Sequence, residues 1–250
     1  MTVINDSALV LGRQLRPLTR DPFTVLFGML QPLVFLVLYG PLLVATGATG
    51  ESPWQWFVPG IIVMIGLFGT SVAGSYLLDE LRTGSFERFL VTPLDRSSLL
   101  IGRALREIVP LVLQAVLIIV VVTPFGFRPE PLGIAIGLVL LAIFGVGLGA
   151  LSHSLALAIQ KQEYLFWLIQ QTFLFPLLLL SGILLPLDGA PDWLVALSRL
   201  NPLSYLVTAE RALFAGDLGD PSIPVAAVVV TLVAIVGLGI GTRMMRRSAD

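Results

Sequence analysis

The sequence contains very few side chains that could perform catalysis or bind a metal ion. It has one His, one Lys and no Cys, which excludes disulfides, thiolate metal sites, a Cys nucleophile and any site with several His ligands. A phosphate-binding P-loop needs a Lys in the pattern Gly-x-x-x-x-Gly-Lys-Ser/Thr, whereas Lys161 stands between Gln160 and Gln162. The chain is therefore predicted to be no enzyme and to hold no metal. His153 is interpreted as a packed or interfacial side chain.

The polar side chains within the long apolar stretches are neutral. They are Gln31, Thr70, Ser71, Ser75, Gln114, Gln170, Gln171, Thr172 and Ser181. One interpretation is that they form hydrogen bonds between membrane helices. The other is that some line a path for an amphipathic substrate, and the candidates are then Gln31, Thr70, Ser71, Gln170, Gln171, Phe173 and Phe175. No Asp, Glu, Lys or Arg falls within these stretches, which argues against proton-driven transport, because proton relays need ionisable groups.

The composition places the chain in a membrane. Of its 250 residues, 56% are hydrophobic and only 12% are charged, and the mean hydropathy is +0.93. A soluble domain of ordinary composition has about 25% charged residues. A soluble enzyme, a nucleic-acid-binding protein and a disordered chain are therefore excluded. The net charge of -1 indicates no polyanionic partner.

Six stretches without any charged residue are each long enough to cross a bilayer, which takes about 20 helical residues. They are Pro22–Gly50, Ser52–Leu78, Ile108–Phe127, Pro131–Gln160, Tyr164–Leu187 and Pro221–Thr242. The runs are continuous rather than alternating, which excludes a β-barrel. We therefore predict an all-α integral membrane protein with six transmembrane helices, forming one domain over residues 1–250.

The basic residues predict the orientation of these spans. With the N-terminus inside, twelve of the fifteen Lys and Arg residues lie on the cytoplasmic side and three lie outside. This asymmetry follows the positive-inside rule, so both termini are expected in the cytoplasm. The fourth span is rich in small residues that allow close helix packing. They include Gly133, Gly137, Gly145, Gly147, Gly149 and Ala150.

Three segments do not have the pattern of simple spans. Residues 1–21 are predicted to contain an amphipathic helix on the inner leaflet, with a basic tail as the alternative. Residues 79–107 carry five Arg and five acidic residues and are either a solvated loop or a docking surface. In this segment we predict a short helix over Ser85–Val91 and a second helix that begins near Asp95 or Ser97.

The third such segment, residues 188–220, is predicted to lie outside and is still apolar. Its pattern indicates helices over Trp193–Leu200 and Leu203–Phe214, separated by Asn201-Pro202. Trp and Tyr favour the membrane interface, so the segment either dips into the membrane as a re-entrant hairpin or stays exposed as a helical hairpin.

Several of these residues match the pattern of a known family. The run DELRTGSFERFLVTPL over residues 79–94, followed by Arg96 and Gly102-Arg103, resembles the loop after the second span of type-2 ABC exporter permeases. A second marker of the family is matched by Pro176, Ser181–Pro186, Pro191–Leu194, Asn201–Tyr205 and Arg211. Arg20–Pro22 and Pro32–Phe35 also fit. The chain is most similar to the daunorubicin-resistance-like drug exporters.

The resemblance implies specific roles for these segments. Residues 1–21 would form an elbow helix, residues 79–107 a coupling loop that contacts an ATPase, and residues 188–220 an extracellular re-entrant segment. The implied ATPase-coupling residues are Glu80, Arg82, Gly84, Glu87, Arg88, Pro93 and Arg96. Those of the re-entrant segment are Pro186, Asn201, Pro202 and Tyr205. Spans two and five would face a partner permease and line the route.

The resulting hypothesis is a permease subunit of an ATP-binding cassette exporter in the bacterial inner membrane. It would move a hydrophobic or amphipathic substrate such as a drug, a natural product or a lipid-linked molecule. The implied partners are a dimer of a cytoplasmic ABC ATPase, which carries ATP and Mg, a second copy of this chain or a paralogous permease, and membrane lipids. No cofactor on this chain and no nucleic acid are expected. The alternatives are a proton-coupled secondary exporter and an integral membrane scaffold.

Overall fold

The computed structural model describes residues 11–12, 28–46, 53–83, 96–159, 162–187 and 189–247. Every regular element in these ranges is helical, in agreement with the predicted all-α fold. Most of the predicted elbow segment, the predicted helix Ser85–Val91 and the rest of residues 84–95 lie outside the described residues, so both predictions stay open.

Ten α-helices occur in the described part of the chain. They are α1 (Leu30–Thr46), α2 (Pro53–Ser71), α3 (Ala73–Arg82), α4 (Arg96–Arg106), α5 (Ile108–Val122), α6 (Pro131–Ala158), α7 (Glu163–Leu179), α8 (Asp192–Ser198), α9 (Pro202–Ala215) and α10 (Ser222–Arg247). A short 3₁₀ turn over Thr123–Phe125 follows α5. The predicted helix starting near Asp95 or Ser97 is confirmed as α4, which begins at Arg96.

Four helical stretches are long and apolar enough to cross a membrane. They are Pro53–Arg82, Ile101–Phe125, Pro131–Ala158 and Ser222–Met245. The apolar helices Leu30–Leu42 and Glu163–Leu179 are shorter. Seventeen helical residues in α7 span about 25 Å at 1.5 Å per residue, less than the ~30 Å hydrocarbon core.

The fifth charge-free stretch is longer than its helix because the chain turns before the stretch ends. Gly182 has a φ of +73°, a conformation that glycine adopts without the steric cost that a Cβ brings. Ser181 supports this turn, since its hydroxyl donates to the Leu178 carbonyl oxygen at 2.6 Å and accepts from the Ile183 amide at 3.2 Å. The absence of charge therefore did not imply a continuous helix.

The core of the bundle forms around α2. All residues from Phe57 to Leu67 are buried, and α2 contacts α1, α5, α6 and α9. The largest helix interface joins α6 to α10, and there a Cβ on Gly237 would lie only 2.3 Å from the carbonyl oxygen of Gly147. The packing role predicted for the glycines of the fourth span is confirmed at Gly147.

The two helices predicted within residues 188–220 are present. The predicted Trp193–Leu200 and Leu203–Phe214 correspond to α8 and α9. Helix α9 packs against α2, α6 and α10, and a Cβ on Gly133 of α6 would lie 1.9 Å from the Leu213 carbonyl oxygen. Helix α9 is therefore packed into the bundle, and the entry of residues 188–220 into the membrane stays a prediction.

Candidate functional site at the charged end of the bundle

Ion pairs join three helices at one end of the bundle. We call this region the charged end and define it by Glu80 and Arg82 of α3, Arg103 and Arg106 of α4, and Glu163 of α7. Helices α3 and α4 both have one apolar and one charged face, a pattern that lets the apolar face pack while the charged face meets water. The two pairs join α3, which precedes residues 84–95, to α4, which follows them, and to α7. Residues 84–95 are the centre of the predicted coupling loop.

The pair between Glu80 and Arg103 is largely buried. Arg103 Nη2 donates to Glu80 Oε2, and the Arg103 side chain is only 4% exposed whereas that of Glu80 is 25% exposed. Removal of one partner from a buried ion pair is strongly destabilising, so loss of Glu80 would weaken the compensation of the Arg103 charge. This pair therefore ties the end of α3 to α4.

The second ion pair lies nearer to water. Arg82 Nη1 and Glu163 Oε2 are 2.5 Å apart, and their side chains are 51% and 40% exposed. Exposed pairs contribute about 0.2–1 kcal/mol. The pair links α3 to the first turn of α7 across 81 residues of sequence, so the same short helix is tied to both neighbours.

A small apolar cluster supports the charged end from within the bundle. It contains Leu77, Leu78, Ala104, Ala150, Ala156, Leu157, Phe166 and Met245. Members come from α3, α4, α6, α7 and α10. Arg106 also stands over the Tyr76 ring, with its guanidinium carbon 5.0 Å from the ring centroid, a geometry suited to cation–π attraction. A displacement of α3 or α4 would therefore alter packing against α6, α7 and α10.

The predicted coupling residues fall partly within this region. Glu80 and Arg82 form the two ion pairs, and Arg96 begins α4. Gly84, Glu87, Arg88 and Pro93 lie outside the described residues. Sequence analysis missed Glu163 as a partner of the segment, because nothing in its local pattern connects it with α3.

The predicted path residues are not gathered in one place. Gln31 is exposed at the start of α1, whereas Gln171, Phe173 and Phe175 are exposed on α7. Thr70 and Ser71 are buried, and their hydroxyls donate to carbonyl oxygens of their own helix. Gln170 is half-buried and donates to Ser71 O at 2.5 Å. Of these three side chains, Gln170 forms hydrogen bonds between helices, as in the first of the two interpretations, whereas Thr70 and Ser71 bond within α2.

The opposite end of the bundle contains the predicted re-entrant residues. We call the region formed by α8, α9 and the turn at Gly182 the hairpin end. Asn201 caps α9 by accepting from the Leu203 amide at 3.0 Å, and its amide donates to the Leu177 carbonyl oxygen at 2.7 Å. The Tyr205 hydroxyl donates to the Arg199 carbonyl oxygen at 2.8 Å. Pro202 is at the first position of α9, where its missing N–H costs nothing.

Arg211 joins three parts of the hairpin end, although it was not among the predicted site residues. Its Nε donates to the Trp56 carbonyl oxygen at 2.9 Å, and its Nη2 donates to the Gly182 carbonyl oxygen at 2.8 Å. The guanidinium also lies 3.8 Å from the centroid of the Trp56 ring. Its position in the second family marker, ten residues after Asn201, was the available signal.

Two carboxyl groups that lie outside the six charge-free stretches are nevertheless buried. Glu107 and Glu210 are both buried. Neither carboxyl oxygen of Glu210 has a hydrogen-bond partner, and a Cβ on Gly137 would lie 2.3 Å from Glu210 Oε2. Burial raises the pKa of Glu210 to about 8. Sequence analysis did not identify Glu210 as buried, because it lies within residues 188–220, which were predicted to be outside, and because its burial results from helix packing.

His153 is buried, and its Nδ1–H donates to the Gly149 carbonyl oxygen at 2.6 Å. This agrees with a packed histidine. Among the described residues, no three or more His, Cys, Asp or Glu side chains are grouped in a way that could hold a metal ion.

The fold and the charged end together define a class of protein. Apolar helices of membrane-spanning length carry an ion-paired surface at one end, which is typical of a multi-pass membrane protein. The sequence profile of the ABC-2 type transporter family matches residues 7–215. The chain belongs to this family and is a permease subunit of an ABC transporter.

The relatives carry related descriptions. The daunorubicin resistance ABC transporter permease protein DrrB1 of Streptomyces coeruleorubidus is 25% identical over 87% of this chain and 78% of its own length. The putative transport permease ycf38 of Cyanophora paradoxa is 30% identical over 84% of this chain and 74% of its own. The probable doxorubicin resistance ABC transporter permease protein DrrC of Mycobacterium tuberculosis is 26% identical over 85% of this chain and 78% of its own length.

Proposed function

We propose that this permease forms the translocation pathway of an ATP-driven exporter, together with a second copy of itself or a paralogous permease. A dimer of a separate ABC ATPase binds ATP and Mg and supplies the energy. Each permease contributes six spans, of which α1 and α7 are the shorter ones, an elbow helix within residues 1–21 and a re-entrant segment over residues 188–220. The chain itself carries no cofactor.

The charged end is the observation that carries this proposal. Residues 84–95 are bounded by Thr83 and Arg96. Helix α3 on one side is ion-paired to α4 on the other side and also to α7. An ATPase that moves this segment therefore moves α3 and α4 together. Through Glu163 the motion extends to α7, whose exposed side chains are the predicted path residues Gln171, Phe173 and Phe175.

The proposed substrate class is hydrophobic or amphipathic. Two of the relatives are named for resistance to daunorubicin and doxorubicin, which combine an aromatic ring system with an amine. On α7, the exposed Trp167 and Phe175 lie on the same face as Gln171, and the exposed Phe173 lies on nearly the opposite face. Aromatic rings and an amide match such a molecule, since they provide apolar contact together with a hydrogen-bonding group.

The proposed location is the bacterial inner membrane, with both termini in the cytoplasm. The charged end then faces the cytoplasm and the hairpin end faces outside. Helix α10 supports this orientation, because its last residues include Arg243, Arg246 and Arg247, and positive charge favours the inner side.

The first experiment tests the partnership. The tagged permease is purified in mild detergent, and an ABC ATPase subunit is expected to co-purify. The complex is then placed in inside-out vesicles, where ATP should drive daunorubicin uptake. Uptake should persist when a protonophore removes the proton gradient. Uptake that stops with the protonophore while ATP remains would favour the proton-coupled alternative, and purification without an ATPase would contradict the proposal.

A paired substitution tests the coupling loop. Glu87→Ala with Arg88→Ala should reduce permease-stimulated ATP hydrolysis at least fivefold, because the loop is the proposed ATPase contact. The matched control is Asp192→Ala with Arg199→Ala at the hairpin end, which also removes one acid and one base and should leave hydrolysis unchanged. Equal activity of the two double variants would argue against the loop as the contact.

A further inference from the structure

The second span is not one continuous helix. Helix α2 ends at Ser71 and α3 begins at Ala73. In an unbroken helix the Ser75 amide would donate to the Ser71 carbonyl oxygen. Here it donates to the Val72 carbonyl oxygen at 2.9 Å, so the Ser71 carbonyl oxygen is released from the helical ladder.

A hydroxyl from α6 is inserted into this break. Ser152 Oγ donates to the Ser71 carbonyl oxygen and accepts from the Gly74 amide at 2.9 Å. Gln170 of α7 adds a second layer, since its Nε2 donates to the Ser71 carbonyl oxygen at 2.5 Å and to Ser152 Oγ at 3.1 Å. We call Ser71, Gly74, Ser152 and Gln170 the span-two joint.

The helices pack closely around the span-two joint. A Cβ on Gly74 would lie 2.3 Å from the Ser152 carbonyl oxygen and 2.8 Å from Cε2 of Phe166, so α3 touches α6 by its backbone. Ser71 and Ser152 are buried. Within a membrane, backbone groups released by a broken helix must find partners in neighbouring helices. Side chains that enter the helical ladder are a recognised cause of kinks.

The span-two joint lies between the charged end, where the ATPase is proposed to act, and the buried core around α2. Below it, α3 ends in Glu80 and Arg82 of the charged end. Above it, α2 forms the buried core from Phe57 to Leu67. A shift of α3 relative to α2 must therefore change the hydrogen bonds of Ser152 and Gln170, which belong to α6 and α7.

We propose that Ser152 and Gln170 are positioning residues for transport, which transfer displacement of α3 to α6 and α7 through the span-two joint. The inference rests on the proposed function, because it needs an ATPase that moves the charged end. It assigns to Ser71 and Gln170 a mechanical role instead of contact with the substrate, and it adds Ser152, which sequence analysis did not select.

The test measures the motion of α7 directly. The chain has no Cys, so spin labels can be placed at Leu168→Cys on α7 and Leu232→Cys on α10, both exposed. Labelled permease is diluted with unlabelled chain, assembled with its ATPase, and measured with and without ATP, Mg and vanadate. In the permease with an unsubstituted joint, the distance between the two labels should change when ATP, Mg and vanadate are added.

Three variants are compared in this assay. Ser152→Ala removes the inserted hydroxyl, and Gln170→Leu removes the second layer while leaving Ser152 in place to preserve the fold. Ser154→Ala is the matched control, because that buried hydroxyl donates only within its own helix, to the Ala150 carbonyl oxygen at 2.6 Å. We expect the first two variants to hydrolyse ATP within twofold of the parent, lose the distance change, and move at least tenfold less daunorubicin per ATP.

The outcomes separate the two proposals. If Ser152→Ala and Gln170→Leu show the same distance change as Ser154→Ala, the joint has only a structural role and the inference is overturned. A lower unfolding temperature with unchanged transport per ATP leads to the same conclusion. If the parent complex itself shows no change with ATP, the proposed function fails and the inference fails with it.

Discussion

The two ends of the bundle are held together by different kinds of interaction. At the charged end, side chains bind side chains across helices, as in the pairs Glu80–Arg103 and Arg82–Glu163. At the hairpin end, Arg211 and Asn201 bind backbone carbonyl oxygens of Trp56, Gly182 and Leu177. Carbonyl acceptors have fixed positions, whereas ion pairs can exchange partners and respond to salt. The comparison predicts that the charged end rearranges more readily than the hairpin end.

The charged end is where an ATPase is proposed to bind, and the hairpin end is the end proposed to face outside. Substitutions can test this contrast at either end.

The largest destabilisation is expected from Glu80→Ala. It removes the carboxylate that pairs with Arg103, whose side chain is only 4% exposed, and loss of one partner from a buried ion pair costs about 3–5 kcal/mol. The measurement is thermal unfolding of the purified permease in detergent, followed by Trp fluorescence. Glu80→Ala combined with Arg103→Met should recover part of the loss, because the buried guanidinium is then removed as well. A single variant as stable as the parent would contradict a stabilising role of the pair.

A gain in stability is expected from Glu210→Gln at the hairpin end. Its ordinary pKa of 4.5 is raised to about 8 by burial, so folding at neutral pH requires uptake of a proton. The free energy of unfolding should therefore be highest below pH ~4.5 and fall as the pH rises to about 8. Gln removes this cost of about 3 kcal/mol at pH 7.

Unfolding of parent and Glu210→Gln between pH 5 and pH 9 provides the measurement. The difference between them should grow with pH and then level off above pH ~8. A constant difference across this range would mean that Glu210 is ionised in the fold.

A smaller loss is expected from Asn201→Ala. It removes the N-terminal cap of α9 and the bond to the Leu177 carbonyl oxygen, and a lost cap costs about 0.5–2 kcal/mol. Asn201→Ser is the matched variant, because its hydroxyl can still cap α9 but is too short to reach Leu177. Ser should fall between Asn and Ala in unfolding temperature, and equal values for Ser and Ala would assign the effect to the Leu177 bond alone.

The smallest effect is expected from Arg82→Ala. The pair with Glu163 is exposed on both sides, so its loss should cost less than ~1 kcal/mol. Because salt screens exposed charges, the difference from the parent should decrease between low and high ionic strength. An effect as large as that of Glu80→Ala, or one insensitive to salt, would contradict the distinction between the two pairs.

Much of the helical framework followed from apolar runs and turn signals. The start of α4 at Arg96 and both outer helices lie within about two residues of their predicted positions. The glycines of α6 were correctly assigned to packing. Hydropathy and cap signals are local, and for this reason they can be recognised without tertiary information.

The site was less predictable, since it depends on contacts between distant residues. Glu163 lies 81 residues from Arg82, and Ser152 lies 81 residues from Ser71. Ser152 stands between apolar residues and His153, a pattern equally typical of a helix-packing serine. The broken second span was also hidden, because Ser71–Gly74 contains no proline and no charge.

By itself, the sequence determined that this protein is a helical membrane permease, with its charges concentrated in the segment proposed to meet an ATPase. Its apolar excess left no soluble alternative, and its family motifs cover most of the chain. Only the tertiary structure decided which charges pair, that Glu210 is buried, and that Ser152 and Gln170 join the second span to its neighbours. The physical reason is that hydropathy is a property of single residues, whereas burial and hydrogen bonding depend on which helices pack together.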